Sequence, residues 1–523
     1  MHKIFLKRLD NFRPSLDKYK ASVTLITLLT LVIRFYNFPN RWGIGSDNAR
    51  DAIIALEALS RHQLPLMGPF SSAGPFVTGG IYYWLVMASY IIFPFSISSP
   101  WILTGIISII SVVLLMYLGK ILIGKRFSII IGILAMLSPQ YVGKSIELGN
   151  PTFVTVFAIL TIICFVKVWQ KNEIIFSFLM GISIGLAISM HYEAINLLIF
   201  ALAVLFIPKF SLKKRITTFL VTCLGVFIPS LPILYWDAHQ SFANTRNILD
   251  YLLIAQYRIY VPNSWKLFLF NYFPVYWGRV VGNFYWVGLA LFFASGLTFF
   301  LSIFRKRVSL QMFFLGIIFL ILLFINKSYR GERTDDYLIY LIPFILIFTA
   351  FLIEQFFTFR NKLVKSLGLI LLVFLILMNW LTIKNAFIYK NAISSEEMII
   401  KTLNQKYPNQ KFSIYDYKHE NSGYSLPLSL LLRNAGELDK NGVRIGINCY
   451  GKDCPGKRLT ILTTPVRIES LSFISPAKLA EDDKKGLWVS VNASSVYDNQ
   501  VGWLNKDQLK STFSLKNYII SKL

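Results

Sequence analysis

Charge and cysteine are both scarce in this chain of 523 residues. Only 15% of positions are Asp, Glu, Lys or Arg, and there are four cysteines. So little charge beside 55% apolar residues, with a mean hydropathy of +0.55, excludes an ordinary soluble protein. Acid is scarcer than base, 27 against 53, for a net charge of +26. In a soluble protein that imbalance points to nucleic acid. Here the basic residues stand in short loops between apolar runs, where they orient a membrane chain, and no nucleic-acid partner is expected. Cys164 and Cys223 lie in apolar runs and read as inert. Cys449 and Cys454, in Cys-Tyr-Gly-Lys-Asp-Cys, can close a small disulfide loop if that region meets an oxidising compartment. Zinc would need two further ligands nearby, and the sequence has none there, so no metal site is expected. The first apolar run follows some twenty polar residues, which argues against a cleaved signal peptide, and no repeat of solenoid period is found.

What is present is a series of apolar runs of about 20 residues, each enough for a ~30 Å hydrocarbon core, from Ala21 to Ile383. Lys3, Lys7, Arg8, Arg13, Lys18 and Lys20 hold the amino terminus in the cytoplasm, and residues 21–38 cross outward. Residues 77–97 are apolar enough to span. If they did, the basic loops at 124–126, 167–171, 209–215, 305–307 and 360–362 would all face outward. The segment therefore reads as an interfacial or re-entrant helix, with Tyr82, Tyr83 and Trp84 at headgroup depth and Pro94 breaking it. Spans follow at 101–123, 127–143, 151–169, 174–190, 194–208, 216–235, 286–304, 309–326, 338–357 and 366–383, about eleven in all with the first.

The fold expected is thus mainly α: a polytopic transmembrane helical bundle in a plasma or inner membrane. Residues 1–383 form the membrane module, with outside loops at 39–100, 144–150, 191–193, 236–285 and 327–337. Loop 236–285 mixes Tyr251, Tyr257, Trp265 and Trp277 with Arg246, Arg258, Lys266 and Arg279. That composition suits helices lying in the interface, either as a plain cover or as a groove for a lipid substrate. Residues 384–523 read as a small extracytoplasmic α/β or α+β domain, with strand-like runs at 411–415, 458–462 and 487–491 and a helix-like run at 425–432. Asn492-Ala-Ser matches a glycosylation triplet, a short pattern that carries little weight.

The informative stretch directly follows the first span. In Gly43-Ile44-Gly45-Ser46-Asp47-Asn48-Ala49-Arg50-Asp51, Ser46 or Asp47 can cap a helix whose apolar stripe is Ala49, Ile53, Leu56 and Leu59. Asp47, Arg50 and Asp51, three and four apart, share its other face. Near a helix amino terminus and beside Arg50, the Asp47 carboxylate should be ionised and able to accept a proton from an attacking hydroxyl; the plain alternative is a cap meeting water. Glu147, with Asn150-Pro151 in the next outside loop, either faces Asp47 across a cavity or pairs with Lys144 at i,i+3. His191-Tyr192-Glu193 ends a span on the same side, as a substrate site or as structure. Tyr329-Arg330-Gly-Glu332-Arg333-Thr-Asp335-Asp336-Tyr337 places two arginines where the positive-inside trend disfavours them. Their forks suit phosphate oxygens, unless Glu332, Asp335 and Asp336 merely neutralise them.

These features together resemble the C-type membrane glycosyltransferases, specifically the protein O-mannosyltransferase and lipid A aminoarabinose transferase group. Ser46-Asp47-Asn48-Ala49-Arg50-Asp51-Ala52 is similar to that group's acidic motif, with Asn48 where its glutamate stands. Gly74-Pro75-Phe76 through Tyr82-Tyr83-Trp84-Leu85 is similar to its proline-aromatic segment, without the preceding lysine. Asn150-Pro151 falls at the second acid, and Tyr337-Leu-Ile-Tyr-Leu-Ile-Pro343 resembles a late tyrosine-proline span. The resemblance covers roughly residues 20–380. It implies a transferase using a polyprenyl-phosphate-linked sugar, a glycan, lipid or protein acceptor on the extracytoplasmic face, inversion at the anomeric carbon, and Asp47 as general base. Arg50, Asp51, Glu147, Asn150, His191, Tyr192, Tyr329 and Tyr337 are expected to bind substrate, with Arg330, Arg333 and His191 receiving the phosphate. No cofactor is required; a divalent metal is compatible with the chemistry but not indicated. The alternative is a transporter or flippase of lipid-linked or small polar substrates, against which stand the missing repeat and the uncharged span centres.

Overall fold

The computed structural model describes residues 17–387 except 72, 94–95, 259–262 and 330–332. Beyond these it describes 400–401, 404–405, 408–417, 429–433, 435–436, 443–447, 459–462 and 488–490. Lys3, Lys7, Arg8, Arg13, Arg330, the pair Cys449 and Cys454, and Asn492 lie outside the described residues.

The chain opens with α1 (Lys18–Phe35) and α2 (Ser46–Ser60), then a small antiparallel pair, β1 (Met67–Phe70) and β2 (Val77–Gly79), and α3 (Ile81–Ile92). Next come α4 (Ser99–Leu122), α5 (Lys125–Met136), α6 (Pro139–Lys144), α7 (Val154–Lys171), α8 (Ile174–Met190) and α9 (Leu212–His239). After α10 (Ala243–Leu253) and α11 (Phe273–Val280), the membrane part closes with α12 (Tyr285–Phe304), α13 (Leu310–Ser328), α14 (Ile342–Thr358) and α15 (Lys362–Ile383). Among the described residues, seven helices are long and apolar enough to cross a membrane. The bundle is ordered by burial. The stretch ending in α14 is apolar on every face and almost wholly enclosed, whereas α9, α12 and α15 turn most of their surface outward.

Two of the expected spans are broken. The span at 127–143 divides into α5 and α6 because Pro139 disfavours helical backbone at Ser138, which is extended (φ −62°, ψ 121°) and caps α6 by accepting the Tyr141 amide at 3.4 Å. The span at 194–208 is a chain of short turns, Tyr192–Leu198 and Val204–Phe206, around a five-residue helix. Elsewhere α8 and α9 touch closely: a Cβ at Gly181 or Gly225 would collide with the facing backbone. The segment 243–280 is helical in pieces. Leu253, Trp265 and Phe270 face outward, while Phe268, Tyr276 and Trp277 belong to the core.

The basic loops meet at one end of the bundle. Lys125 pairs with Asp17 at 3.5 Å and Arg126 with Glu354 at 2.5 Å. Gln170 donates to the Ile121 carbonyl (3.0 Å), Lys214 to Asn172 (2.8 Å), and Lys209 to Trp169. The helices that carry these groups run to the other end: α7 begins beside Asn150, α8 finishes at His191, and α14 follows Tyr337. Twenty-odd helical residues put about 30 Å between the two ends.

Beyond α15, four strands among the described residues form a mixed sheet in the order β5–β4–β3–β6: β3 (Phe412–Tyr417), β4 (Val443–Ile447), β5 (Leu459–Leu462) and β6 (Trp488–Ser490). β3 and β4 are parallel and the outer pairs antiparallel. Val443-Arg-Ile-Gly-Ile447 is not among the expected strand-like runs, although it alternates apolar positions with Arg444 and Gly446 as a half-buried strand does. A helical turn at 429–433 buries Leu430 and Leu431 in the main core and pairs Arg433 with Glu57 of α2 at 2.6 Å.

Candidate active site

The amino end of α2 is held from both sides. Its cap is Gly45, in extended conformation (φ −81°, ψ 169°), so Ser46 and Asp47 stand in the first turn and neither caps it. Asn48 accepts the Gly45 amide at 3.0 Å and donates its own amide to the Leu148 carbonyl. The residue at the glutamate position of the resembling motif therefore ties this helix to the second outside loop.

Arg50 lies between two unlike carboxylates. It donates to Asp47 Oδ1 (2.7 Å) and, by Nε and Nη2, to Asp51 Oδ1 (2.9 and 2.8 Å). Asp47 is 78% exposed, and its Oδ2 has no partner among the described residues. Asp51 is 2% exposed and also accepts the hydroxyls of Tyr82 (3.0 Å) and Tyr83 (3.3 Å). Burial raises the Asp51 pKa, offset in part by Arg50. For Arg50 burial opposes the charge, but the Asp51 carboxylate outweighs it and holds the guanidinium above its ordinary value. Tyr82 and Tyr83, expected at headgroup depth, are enclosed by protein there, with both hydroxyls aimed at Asp51. Asp51, enclosed and fully bonded, holds Arg50 in place.

In front of α2 lies a cleft of about 500 Å³. Asp47, Asn48, Arg50 and Asp51 line one side, Glu147 to Pro151 the next, and His191 to Glu193 with Thr334, Asp336 and Tyr337 the far side; Phe70, Phe76 and Thr78 close it. Of the expected residues, Asp47, Arg50, Asp51, Glu147, Asn150, His191, Tyr192 and Tyr337 line one space. The last turn of α6 supplies a cation that the sequence suggests only as a surface partner: Lys144, which pairs with Glu147 (2.9 Å) and Asp336 (2.5 Å). Burial works against its charge, but these two carboxylates raise its pKa. Asn150 donates to the Met190 carbonyl at 2.5 Å, fixing the loop against the end of α8.

His191 lies 5.4 Å, ring to ring, from Tyr337, and its buried Nδ1 has no partner among the described residues. Burial lowers its pKa to about 4, so at neutral pH it offers a hydrogen bond and not a charge. Next to it Glu193 has no ion pair among the described residues, and burial raises its pKa to about 7. The Tyr192 hydroxyl donates to the Val77 carbonyl (2.6 Å), so this residue presents a ring wall. Asn244 of α10 clamps the same strand, accepting the Val77 amide at 2.9 Å.

Two expected residues stand elsewhere. Tyr329 is hydrogen-bonded to the Tyr251 hydroxyl at 2.6 Å and does not line the cleft. Arg333, expected to receive the phosphate, does not line the cleft. Its Nη2 instead donates to the Tyr329 carbonyl (2.5 Å) and the Lys327 carbonyl (3.4 Å), and its guanidinium covers Phe268 at 5.1 Å. The carbonyls ending α13 have no helical partner and capture the nearest fork. Asp335 is likewise taken up, by Arg279 at 2.6 Å. No three His, Cys, Asp or Glu side chains converge as a metal site among the described residues. Lys144 and Asp336 do not stand out as a pair in the sequence because 192 positions separate them; the signal within reach was a lysine in an outside loop, three residues before Glu147.

A family model described as dolichyl-phosphate-mannose-protein mannosyltransferase matches residues 79–236, a stretch that begins beyond the Asp47 helix. No curated protein matches the sequence significantly. Among solved structures, ArnT from Cupriavidus metallidurans bound to undecaprenyl phosphate aligns with a TM-score of 0.56 at 12% identity, covering 79% of this chain and 84% of that one. The archaeal oligosaccharyltransferase AglB from Archaeoglobus fulgidus, in complex with an inhibitory peptide and a dolichol-phosphate, aligns with a TM-score of 0.51 at 15% identity over 75% of this chain. This chain spans 58% of the length of AglB. The chain shares its fold with ArnT and AglB, as the resemblance to the O-mannosyltransferase and aminoarabinose transferase group implies.

Proposed function

We propose that this chain is a membrane glycosyltransferase that moves a sugar from a polyprenyl-phosphate donor to an acceptor hydroxyl on the extracytoplasmic face. One observation carries the reading: an exposed carboxylate with one free oxygen, Asp47, set on a helix amino end at the rim of a 500 Å³ cleft. That cleft lies across the bundle from the basic loops, so the positive-inside trend puts it outside. Support comes from structural likeness to ArnT bound to undecaprenyl phosphate and AglB bound to dolichol-phosphate, and from the mannosyltransferase family model.

In the step proposed, the acceptor O–H gives its proton to Asp47 as its oxygen bonds to the anomeric carbon. The bond from that carbon to the phosphate oxygen breaks on the opposite side, and polyprenyl phosphate departs with inversion. A phosphate leaves without a proton but needs countercharge. Lys144 can supply it by exchanging one carboxylate partner for a phosphate oxygen, together with Arg330 of the outside loop, while Arg333 is held by backbone carbonyls. Neutral His191 and the Asn150 amide serve as hydrogen-bonding walls. Protein, lipid and glycan acceptors all fit this scheme, and it calls for no cofactor.

The test is Asp47→Asn in purified full-length protein given labelled polyprenyl-phosphate sugars. Loss of a positioned base lowers the rate about 10²–10⁴-fold, and the product anomer should be opposite to that of the donor. Full activity in a correctly folded variant overturns the assignment of the base; retention of configuration overturns the single displacement.

A further inference from the structure

A second pocket lies at the basic end, away from the cleft. It has a volume of about 190 Å³ between the last turns of α12 and α14. Arg305, Arg307, Ser302 and Gln355 form its polar wall, and Leu352 and Phe356 its apolar floor. Arg305 closes α12, Lys306 turns the chain with a positive φ of 54°, and Arg307 follows. Neither arginine has a carboxylate partner among the described residues. Arg305 shows no side-chain partner there, and Arg307 has only a long contact to the Thr358 hydroxyl (3.5 Å) and the ring of Phe359. Nearby acids at this end are already used: Glu354 by Arg126 and Asp17 by Lys125. Leu301, at the pocket's edge, and Phe304 on the same helix end face outward as lipid-contacting residues do.

We propose that this pocket binds the phosphodiester headgroup of an anionic phospholipid from the leaflet at the basic end. Two uncompensated guanidinium forks sit where aliphatic and aromatic side chains give way to polar ones, which is the sequence of chemistries along a phospholipid from chain to phosphate. Forks of this kind take two phosphate oxygens side by side, and basic pockets between spanning helices are suited to anionic headgroups. Charge complementarity selects an anionic lipid over a zwitterionic one. The apolar floor selects a lipid over free phosphate. The sugar donor of the proposed reaction is not the occupant, because its phosphate must reach Asp47 across the bundle.

The test is lipid retention by the full-length chain, read by native mass spectrometry after exchange into detergent with equal phosphatidylglycerol and phosphatidylcholine. Phosphatidylglycerol should remain in preference. Arg305→Gln should weaken its retention about five-fold, and Arg305→Gln with Arg307→Gln about 25-fold. Lys213→Gln, at the same end but outside the pocket, should change it little, and Arg305→Lys with Arg307→Lys should retain most of it. Inorganic phosphate should not compete. Equal retention of the two lipids, an unchanged double glutamine variant, an equal effect of Lys213→Gln, or displacement by inorganic phosphate overturns the proposal. Should the double variant not fold, the single Arg305→Gln change decides between these outcomes, since that side chain supports nothing else among the described residues.

Discussion

Asp47 and Asp51 are four residues apart and share Arg50, yet their surroundings divide their roles. Asp51 sits under two tyrosine hydroxyls with almost no water contact, while Asp47 stands at the rim. Removing one member of a buried pair strands the other's charge, so Asp51→Asn should cost about 3 kcal/mol. Asp47→Asn, at an exposed position, should stay within about 0.5 kcal/mol. Thermal unfolding of the two variants in detergent checks the contrast, and equal midpoints would refute the division. The helical spacing exposed the trio in the sequence, but the tyrosines that set Asp51 apart come from α3, where no spacing rule reaches.

The far wall makes a pH prediction with opposing signs. Glu193 has a folded pKa of about 7, raised from 4.5, so its contribution to stability is present below pH 4.5 and lost as pH rises through 7. His191 has a folded pKa of about 4, lowered from 6.5, so its contribution is present above pH 6.5 and lost as pH falls through 4. In the intact protein the two slopes offset each other between about pH 4.5 and 6.5. Glu193→Gln should leave stability rising over that window, and His191→Gln should leave it falling. Parallel profiles in the two variants would show that neither group titrates as placed.

At the scale of elements, apolar runs located the helices well, but length alone misjudged which of them are continuous. Pro139 was visible, and the residue before a proline resists helix, so the break between α5 and α6 was within reach of the sequence. The tight turns over Tyr192–Leu198 were not, since nothing in that stretch forbids an ordinary helix. Gly225 illustrates the converse. A lone glycine in an apolar run says little, but here it lets α9 meet α8 backbone to backbone. Gly225→Val should cost about 1–3 kcal/mol through overpacking. An unchanged unfolding midpoint would mean that these helices can part freely.

For the whole molecule, the decisive property is polarity along the bundle. Basic loops that are far apart in sequence interlock at one end, and the acidic cleft opens at the other. With the basic end in the cytoplasm, as proposed, the cleft opens outside the cell. In a cysteine-free background, a membrane-impermeant thiol reagent should label Leu64→Cys on intact cells, and Lys213→Cys only after permeabilisation. The reverse pattern would put Asp47 in the cytosol and remove the basis for an extracytoplasmic transferase.

From residue order alone came the membrane class, the grouping of the basic loops at one end, the Asp47 helix and most of the cleft wall, because hydropathy, loop charge and helical spacing are local properties that survive without coordinates. Tertiary structure alone decided that Asp51 is enclosed, that Arg333 turns back onto its own loop, and that Lys144 joins Glu147 to Asp336. Each of these depends on which of several nearby partners a charged group finds first, and that is a matter of distance in the folded chain.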